Sequence, residues 1–505
     1  MSATIYSASL SGIDASGVEV QIDSTPGLHA FSIVGLADKA VQESIDRIGA
    51  ALKNSGFIAP MRKNRRFIVN LSPADIKKEG PAYDLPVALA YLTETSQIPA
   101  INAKILCAGE VALDGTLRPI NGILAMALFA KEQGFEGLLV PIANAAEASF
   151  VSGIAVLGAL SLADAADLLS GKRLQEPYTP DNSFSKSEEP IFPYILGQES
   201  AKRAIAVAAA GGHNILMHGA PGSGKTLLAR SLVDLLPALS ERERLEVAKI
   251  YSSVGLLKSS PLLLQRPFRS PHHTTSAVAI VGGGSWPRPG EISLAHRGVL
   301  FFDELAEFPR AVLESMRQPL EDGVVTVSRA AGSLTLPAKF MFVAAMNPCP
   351  CGNYGQEGLE CTCTPLQIIR YKKKVSGPLL DRMDIQIVVP RETIQTRREP
   401  DMGALEHLQK QIGEARKMQD ERFGGSRMVS NADIDHRSVE RFCSLEKNAQ
   451  RLLEQASNAH KLSLRSFHKI QKVARTIADM ESSEAVGQRH IAEALSLRIN
   501  ESSVL

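Results

Sequence analysis

The chain has 505 residues, a formal charge of +1, 44% hydrophobic and 22% charged residues. These are the proportions of an ordinary globular protein of about two to four domains. They exclude a uniformly basic nucleic-acid binder, although local patches stay open, and no stretch has the apolar length of a membrane span.

The N-terminal Met1-Ser2-Ala3-Thr4-Ile5-Tyr6 lacks the basic-then-apolar layout of a signal peptide, so a cytoplasmic protein is expected. Strands are predicted at Val18–Ile22, Phe31–Gly35, Arg66–Leu71 and Leu138–Pro141, with an extended stretch at Lys104–Gly109. Helices are predicted at Ala40–Ser55, Leu85–Leu92 and Gly122–Gln133. This mixture implies a separate α/β or α+β domain over residues 1–170. Residues 171–194 hold Pro177, Pro180, Pro190 and Pro193 among Ser, Asp, Asn and Glu, and read as a linker.

An Ala-rich helix, Glu199–Gly211, leads to a short apolar strand, Asn214-Ile215-Leu216-Met217. Next comes Gly219-Ala220-Pro221-Gly222-Ser223-Gly224-Lys225-Thr226, which fits G-x-x-x-x-G-K-[ST], and then a helix to Leu236. Strand, glycine-rich loop and helix in this order form a phosphate cradle. Backbone N–H groups curl around the phosphates and the helix N-terminus adds positive potential. Lys225 would reach the β- and γ-phosphates, and Thr226 would offer its hydroxyl to Mg²⁺. Further on, Val299-Leu300-Phe301-Phe302 ends in Asp303 and Glu304. Asp303 would hold the Mg²⁺ shell, and Glu304 would polarise the attacking water. The two halves together indicate an ATPase.

Two stretches that read as inserted loops carry arginines able to meet a polyanion such as DNA. Val281–Pro289 contains three glycines and Trp286-Pro287-Arg288, and Val324–Ala338 reads as a β-hairpin carrying Arg329. Arg288 and Arg329 would touch phosphates without reading sequence; ordinary surface arginines are the alternative. Cys349, Cys351, Cys361 and Cys363 form two C-x-C pairs. Two closely spaced pairs can supply a tetrahedral zinc site, and a small structural zinc knuckle is the favoured reading. Redox-active pairs or unligated thiols are the alternatives. From about Gly403 the chain is charged and helix-periodic, so residues 396–505 are expected to form a small all-helical domain.

Further motifs accompany these. They include Gly197-Gln198-Glu199, Pro271-His272-His273-Thr274, Pro289-Gly290-Glu291-Ile292-Ser293-Leu294-Ala295-His296, Ala345-Met346-Asn347-Pro348-Cys349-Pro350-Cys351-Gly352 and Ser376-Gly377-Pro378-Leu379-Leu380-Asp381-Arg382. With the phosphate loop they resemble the ComM (YifB-type) family of magnesium-chelatase-like AAA+ ATPases, along essentially the whole chain. The resemblance implies an α/β AAA+ core over 195–395, with the cysteine insertion at 349–363 and a C-terminal helical lid. It further implies ATP and Mg²⁺, a homo-oligomeric ring (a hexamer), and a DNA helicase or branch-migration motor acting on single-stranded, forked or branched DNA. In naturally competent bacteria the family promotes integration of incoming DNA, with recombination proteins as candidate partners.

By the same resemblance Asn347 senses the γ-phosphate, Arg382 is an arginine finger for the neighbouring subunit, and Arg465 is the lid's sensor arginine, with Arg475 as the other candidate. A local ion pair of Arg382 with Asp381 or Asp384 is the alternative for the finger. Lys78-Glu79-Gly80-Pro81-Ala82-Tyr83-Asp84-Leu85 and Gly109–Gly115 resemble the Lon-protease-like, ribosomal-S5-related domain of magnesium-chelatase relatives. Ala82 and Leu124 stand where that fold's Ser and Lys would act, so a non-proteolytic domain is implied. Arg62-Lys63-Asn64-Arg65-Arg66 is a basic patch consistent with DNA or with a solvated loop. The competing function is a chelatase-type protein remodeller that does not act on DNA.

Overall fold

The computed structural model describes residues 3–62, 64–101, 103–179, 189–257, 265–283, 288–329, 332–355, 360–391, 400–426 and 428–498. The chain divides into two compact units, Met1–Lys186 with Arg244–Leu263, and Ser187–Glu243 with Leu264–Leu505.

The first unit is built on a seven-stranded mixed sheet. Its order is Ala30–Val34, Arg65–Ser72, Asp14–Pro26, Ala3–Ser11, Ile105–Cys107, Gly137–Pro141 and Ala155–Ala159. The first of these strands in the chain, Ala3–Ser11, pairs antiparallel with Asp14–Pro26 and parallel with Ile105–Cys107, so it joins the two halves of the sheet. Arg65–Ser72 alternates exposed Arg66 and Ile68 with buried Phe67, Val69 and Leu71, the pattern of a strand with one face on a core. The helices Lys39–Asn54 and Asp84–Glu94 cover that face. Asp38 caps the first of them by accepting from Val41 N at 2.8 Å.

The two stretches that resemble the S5-related domain meet: Leu85 N donates to Gly109 O at 3.0 Å, and Gly109 N to Ala82 O at 2.9 Å. Leu124 is fully buried in one apolar cluster with Ala248, and Ala82 packs against it. Ala248 belongs to Arg244–Leu263, a stretch that local pattern assigns to the ATPase core but that folds with the first unit. The helix Glu241–Ser253 buries Ala248 there, and Ser252 O accepts from Gly122 N at 3.0 Å.

The second unit carries a five-stranded, all-parallel sheet in the order Phe268–Arg269, Val299–Phe302, Met341–Met346, Ile215–His218, Ile385–Val388. The four longer strands are almost entirely buried, as in parallel sheets covered on both faces. The Ala-rich helix Glu199–Gly211 packs between this sheet and the helical region of Met402–Phe423, Lys447–His460, Leu464–Met480 and Gln488–Ser496. Small side chains permit the close approach. The same interface is pinned by polar groups: His213 and Thr476 share a hydrogen bond of 2.8 Å, and Gln419 donates to Ala210 O at 3.0 Å. The Val324–Arg329 and Gly332–Pro337 strands form the expected hairpin.

A buried ion pair tests the packing of the first unit. Arg47 grips the fully buried Asp84 with two hydrogen bonds of 3.0 Å. Burial pushes the Asp84 carboxyl up to about 6 in spite of Arg47. The Arg47→Met substitution leaves that carboxylate unpaired and should cost about 3–5 kcal/mol near neutral pH. The folded carboxyl titrates above its ordinary range, so the penalty belongs to the charged form. Thermal unfolding should therefore show a smaller loss at pH of about 5 than at about 8. An equal loss at both would contradict this assignment.

Candidate nucleotide site and cysteine cluster

Parallel pairing fixes where the functional loops fall. Met341–Met346 lies between Ile215–His218 and Val299–Phe302, with Ile215 opposite Val343 and Phe301 opposite the same residue. The phosphate loop, Asn347 and the Asp303-Glu304 pair therefore leave the sheet at one edge, the carboxyl ends of the strands. Ligands of open α/β sheets bind in that crevice.

The loop has the backbone such a cradle needs, with Gly222 at φ +76° and Gly224 at φ +89° before the helix Lys225–Leu235. Gly219, Ala220, Pro221 and Ser223 complete it. Lys225 donates to Gly219 O and Ala220 O, both at 2.8 Å, and lies 3.3 Å from Asn347 Oδ1. Burial pulls its pKa down, while Asp303 and Glu304 oppose that. Thr226 Oγ1 donates to Asp303 Oδ2 at 2.8 Å, so hydroxyl and carboxylate stand side by side, the pair of oxygens a hard divalent cation takes. The other Asp303 oxygen accepts from Glu304 N at 3.0 Å. Glu304 sits at φ +52°, a left-handed conformation unusual for a non-glycine residue. Its carboxylate lies 3.8 Å from His273 Nδ1, and the ring of His272 lies 4.1 Å from that of His273.

Arg382 and Arg465 do not join this constellation. Arg382 precedes Ile385–Val388, which runs parallel to Ile215–His218, so it leaves the opposite edge of the sheet. Strand length alone separates the edges by roughly 13 Å. Asn214, just before the phosphate-loop strand, donates to Arg382 O at 3.2 Å. The Arg382 guanidinium pairs with Glu321, not with Asp381 or Asp384. Arg465 holds the other oxygen of Glu321 at 2.9 Å, so one carboxylate gathers both arginines. Arg475 is buried and donates to Asp479 at 3.0 Å and to Glu484 O at 2.7 Å.

The four cysteine sulfurs all lie within 4.8 Å of one another, with Cys349–Cys351, Cys349–Cys361 and Cys351–Cys361 at 3.4, 3.7 and 3.6 Å. Four thiolates at about 2.3 Å from zinc would be about 3.8 Å apart, so the cluster fits a tetrahedral metal. Asn353 N–H, with the Cys349 sulfur, holds the Cys351 thiol well below its ordinary range, down to about 5. Gly358 of this insertion lies outside the described residues.

Of the DNA-contact candidates, Arg288 is exposed in a short hairpin with Gly283. Arg329 ends its strand opposite Gly332, while Trp286, Pro287 and Lys63 lie outside the described residues. Two site residues had no sequence signal. His218 is buried beside the loop, and burial, with Lys372 and Lys225, pushes its pKa down to about 4. Glu321 is an ordinary helix carboxylate until the fold brings two arginines to it.

Comparison with known proteins identifies the pattern. The family model for magnesium chelatase, subunit ChlI, matches residues 192–397, and those for subunit ChlI of Mg-chelatase and the ChlI C-terminal region match 18–144 and 404–498. Competence protein ComM of Haemophilus influenzae is 40% identical over 98% of this chain and 97% of its own. The uncharacterized protein YifB of Escherichia coli is 39% identical over 98% of this chain and 96% of its own. The magnesium-chelatase 38 kDa subunit of Rhodobacter capsulatus is 28% identical, over 34% of this chain and 53% of its own.

Two substitutions separate binding from turnover. Lys225→Ala should abolish binding of a fluorescent ATP analogue. Glu304→Gln should bind it normally and hydrolyse ATP roughly 100-fold or more slowly. Turnover retained in either variant would refute the site.

Proposed function

The chain belongs to the ComM and YifB family of magnesium-chelatase-like AAA+ proteins, and from this we propose that it is an ATP-driven, ring-forming DNA motor that serves recombination of incoming DNA. The observation that carries the reading is the meeting of Lys225 with Asn347 and of Thr226 with Asp303 at one edge of the sheet, in a chain 40% identical over 98% of its length to a competence protein.

In the proposed mechanism the phosphate-loop amides and Lys225 bind the triphosphate, and Thr226 and Asp303 would hold Mg²⁺. The ion supplies charge neutralisation on the phosphates. Glu304 takes the proton of the attacking water, and Asn347 orients that water against the γ-phosphate. Arg382 and Arg465, at the far edge of the sheet, act on the nucleotide of the next subunit, which is why a ring is required. Glu321 holds both arginines until that phosphate competes for them. A guanidinium fork is suited to this exchange between carboxylate and phosphate.

The cysteine cluster is a structural zinc knuckle in this reading, and Cys361→Ser should lower the bound zinc. Arg288 and the Val324–Pro337 hairpin are the DNA-facing elements. The first unit is non-proteolytic, since Ala82 and Leu124 offer neither nucleophile nor base. No described helix is long and apolar enough to cross a membrane.

Strand displacement on a forked DNA tests the motor. The chain should separate the strands with ATP, and Glu304→Gln should not. Arg382→Ala should be inactive alone and regain hydrolysis when mixed with Lys225→Ala, because each protomer then supplies what its neighbour lacks. A mixture as inactive as its parts would contradict action between subunits.

A further inference from the structure

We propose that the cysteine knuckle is a positioning element of the ATP site, so that metal held by Cys349, Cys351, Cys361 and Cys363 sets the affinity for nucleotide. This rests on the metal reading of the cluster above. The knuckle meets the phosphate loop where the Gly352 backbone packs against the Pro221 ring. Gly352, at φ +82°, lies so close to Pro221 that a Cβ added there would be 2.4 Å from Pro221 Cδ and 2.6 Å from Cγ. Real side chains do not approach so closely, so the turn and the phosphate loop constrain each other.

A second link runs through the chain. Cys349 is two residues past Asn347, whose Oδ1 is 3.3 Å from Lys225 Nζ. Cys349 is fully buried, and its carbonyl accepts from Gly352 N at 3.0 Å. Its sulfur faces Tyr354 N at 3.4 Å. One ligand is thus tied to both ends of the coupling: the turn that touches Pro221 and the strand end that presents Asn347. A third link is the helix Pro365–Lys372 that follows the cluster. Its Lys372 lies 5.7 Å from the Tyr354 ring centroid, and its charge bears on buried His218 at the start of the phosphate loop.

The knuckle has little of its own to hold it. Between Cys349 and Gly355 the side chains are Cys, Pro, Gly, Asn and a half-exposed Tyr354. Such a segment buries too little apolar surface to offset its ordering entropy. A metal joining four thiolates supplies that free energy. Without it the Gly352 turn loses its anchor, and the wall behind Pro221 and Asn347 loosens. The ATP site is then occupied in proportion to metal at a site that touches no substrate.

The test uses the full chain with three readouts: zinc content, melting temperature and the Kd of a fluorescent ATP analogue. The wild type should hold one zinc per chain. Zinc-selective chelation in excess Mg²⁺ should weaken nucleotide binding by about tenfold or more, and added zinc should restore it. An unchanged Kd after zinc loss overturns the coupling while leaving the metal reading intact, and a wild type without zinc overturns the metal reading and the coupling with it. A mutant cycle tests the contact independently. Gly352→Ala, which also strains a backbone at φ +82°, should retain zinc with a lowered melting temperature and weaken binding by about tenfold. Adding Pro221→Ala, which removes the ring atoms that the new Cβ meets, should recover most of that loss relative to Pro221→Ala by itself. Normal affinity in Gly352→Ala, or purely additive effects in the pair, overturns the proposal.

Discussion

The hydrogen-bonded insertion of Met341–Met346 between the phosphate-loop strand and the carboxylate strand sets where every proposed catalytic group lies. A parallel sheet sends all its strands' carboxyl ends to one edge. The central strand therefore delivers Asn347 between Lys225 and Glu304, and the cysteine cluster follows within two residues. Were that strand at the sheet's edge, Asn347 would have no route to the Lys225 ammonium. The same parallelism sends Arg382 to the opposite edge, as the proposed division of the machinery between adjacent subunits would require.

Much of this was legible in the sequence because the chemistry is local. The phosphate loop needs its glycines, Lys225 and Thr226 in one run, and Asp303 and Glu304 must end an apolar strand. Strongly periodic helices such as Lys39–Asn54 and Glu199–Gly211 were equally clear. The strand Ala3–Ser11 escaped because its buried face includes Ser7 and Ser9, which carry no hydrophobic signal. The placement of Arg244–Leu263 with the first unit depends on nonlocal burial of Ala248, which no local pattern reveals. Glu321 is another such case. Its role follows from two arginines, at positions 382 and 465, that only the fold brings together.

The sequence also left a choice between Arg465 and Arg475, and burial bears directly on it. Arg475 is spent on Asp479, which also takes two hydrogen bonds from Arg422, so that group of charges holds the helical region together. Arg465 keeps a more open side chain and shares its carboxylate with Arg382. A pair of arginines released together by an incoming phosphate would make hydrolysis sensitive to ring assembly. The contact of Gly352 with Pro221 would add sensitivity to metal at the same site.

The proposed motor stands or falls on the coupling of hydrolysis to DNA. The most direct measurement is steady-state ATP hydrolysis by the purified chain with and without single-stranded and forked DNA, with Glu304→Gln setting the background. Strong stimulation by DNA, lost in Glu304→Gln, is the predicted result. Robust hydrolysis indifferent to both DNAs would contradict it and favour a chelatase-type remodeller of a protein partner.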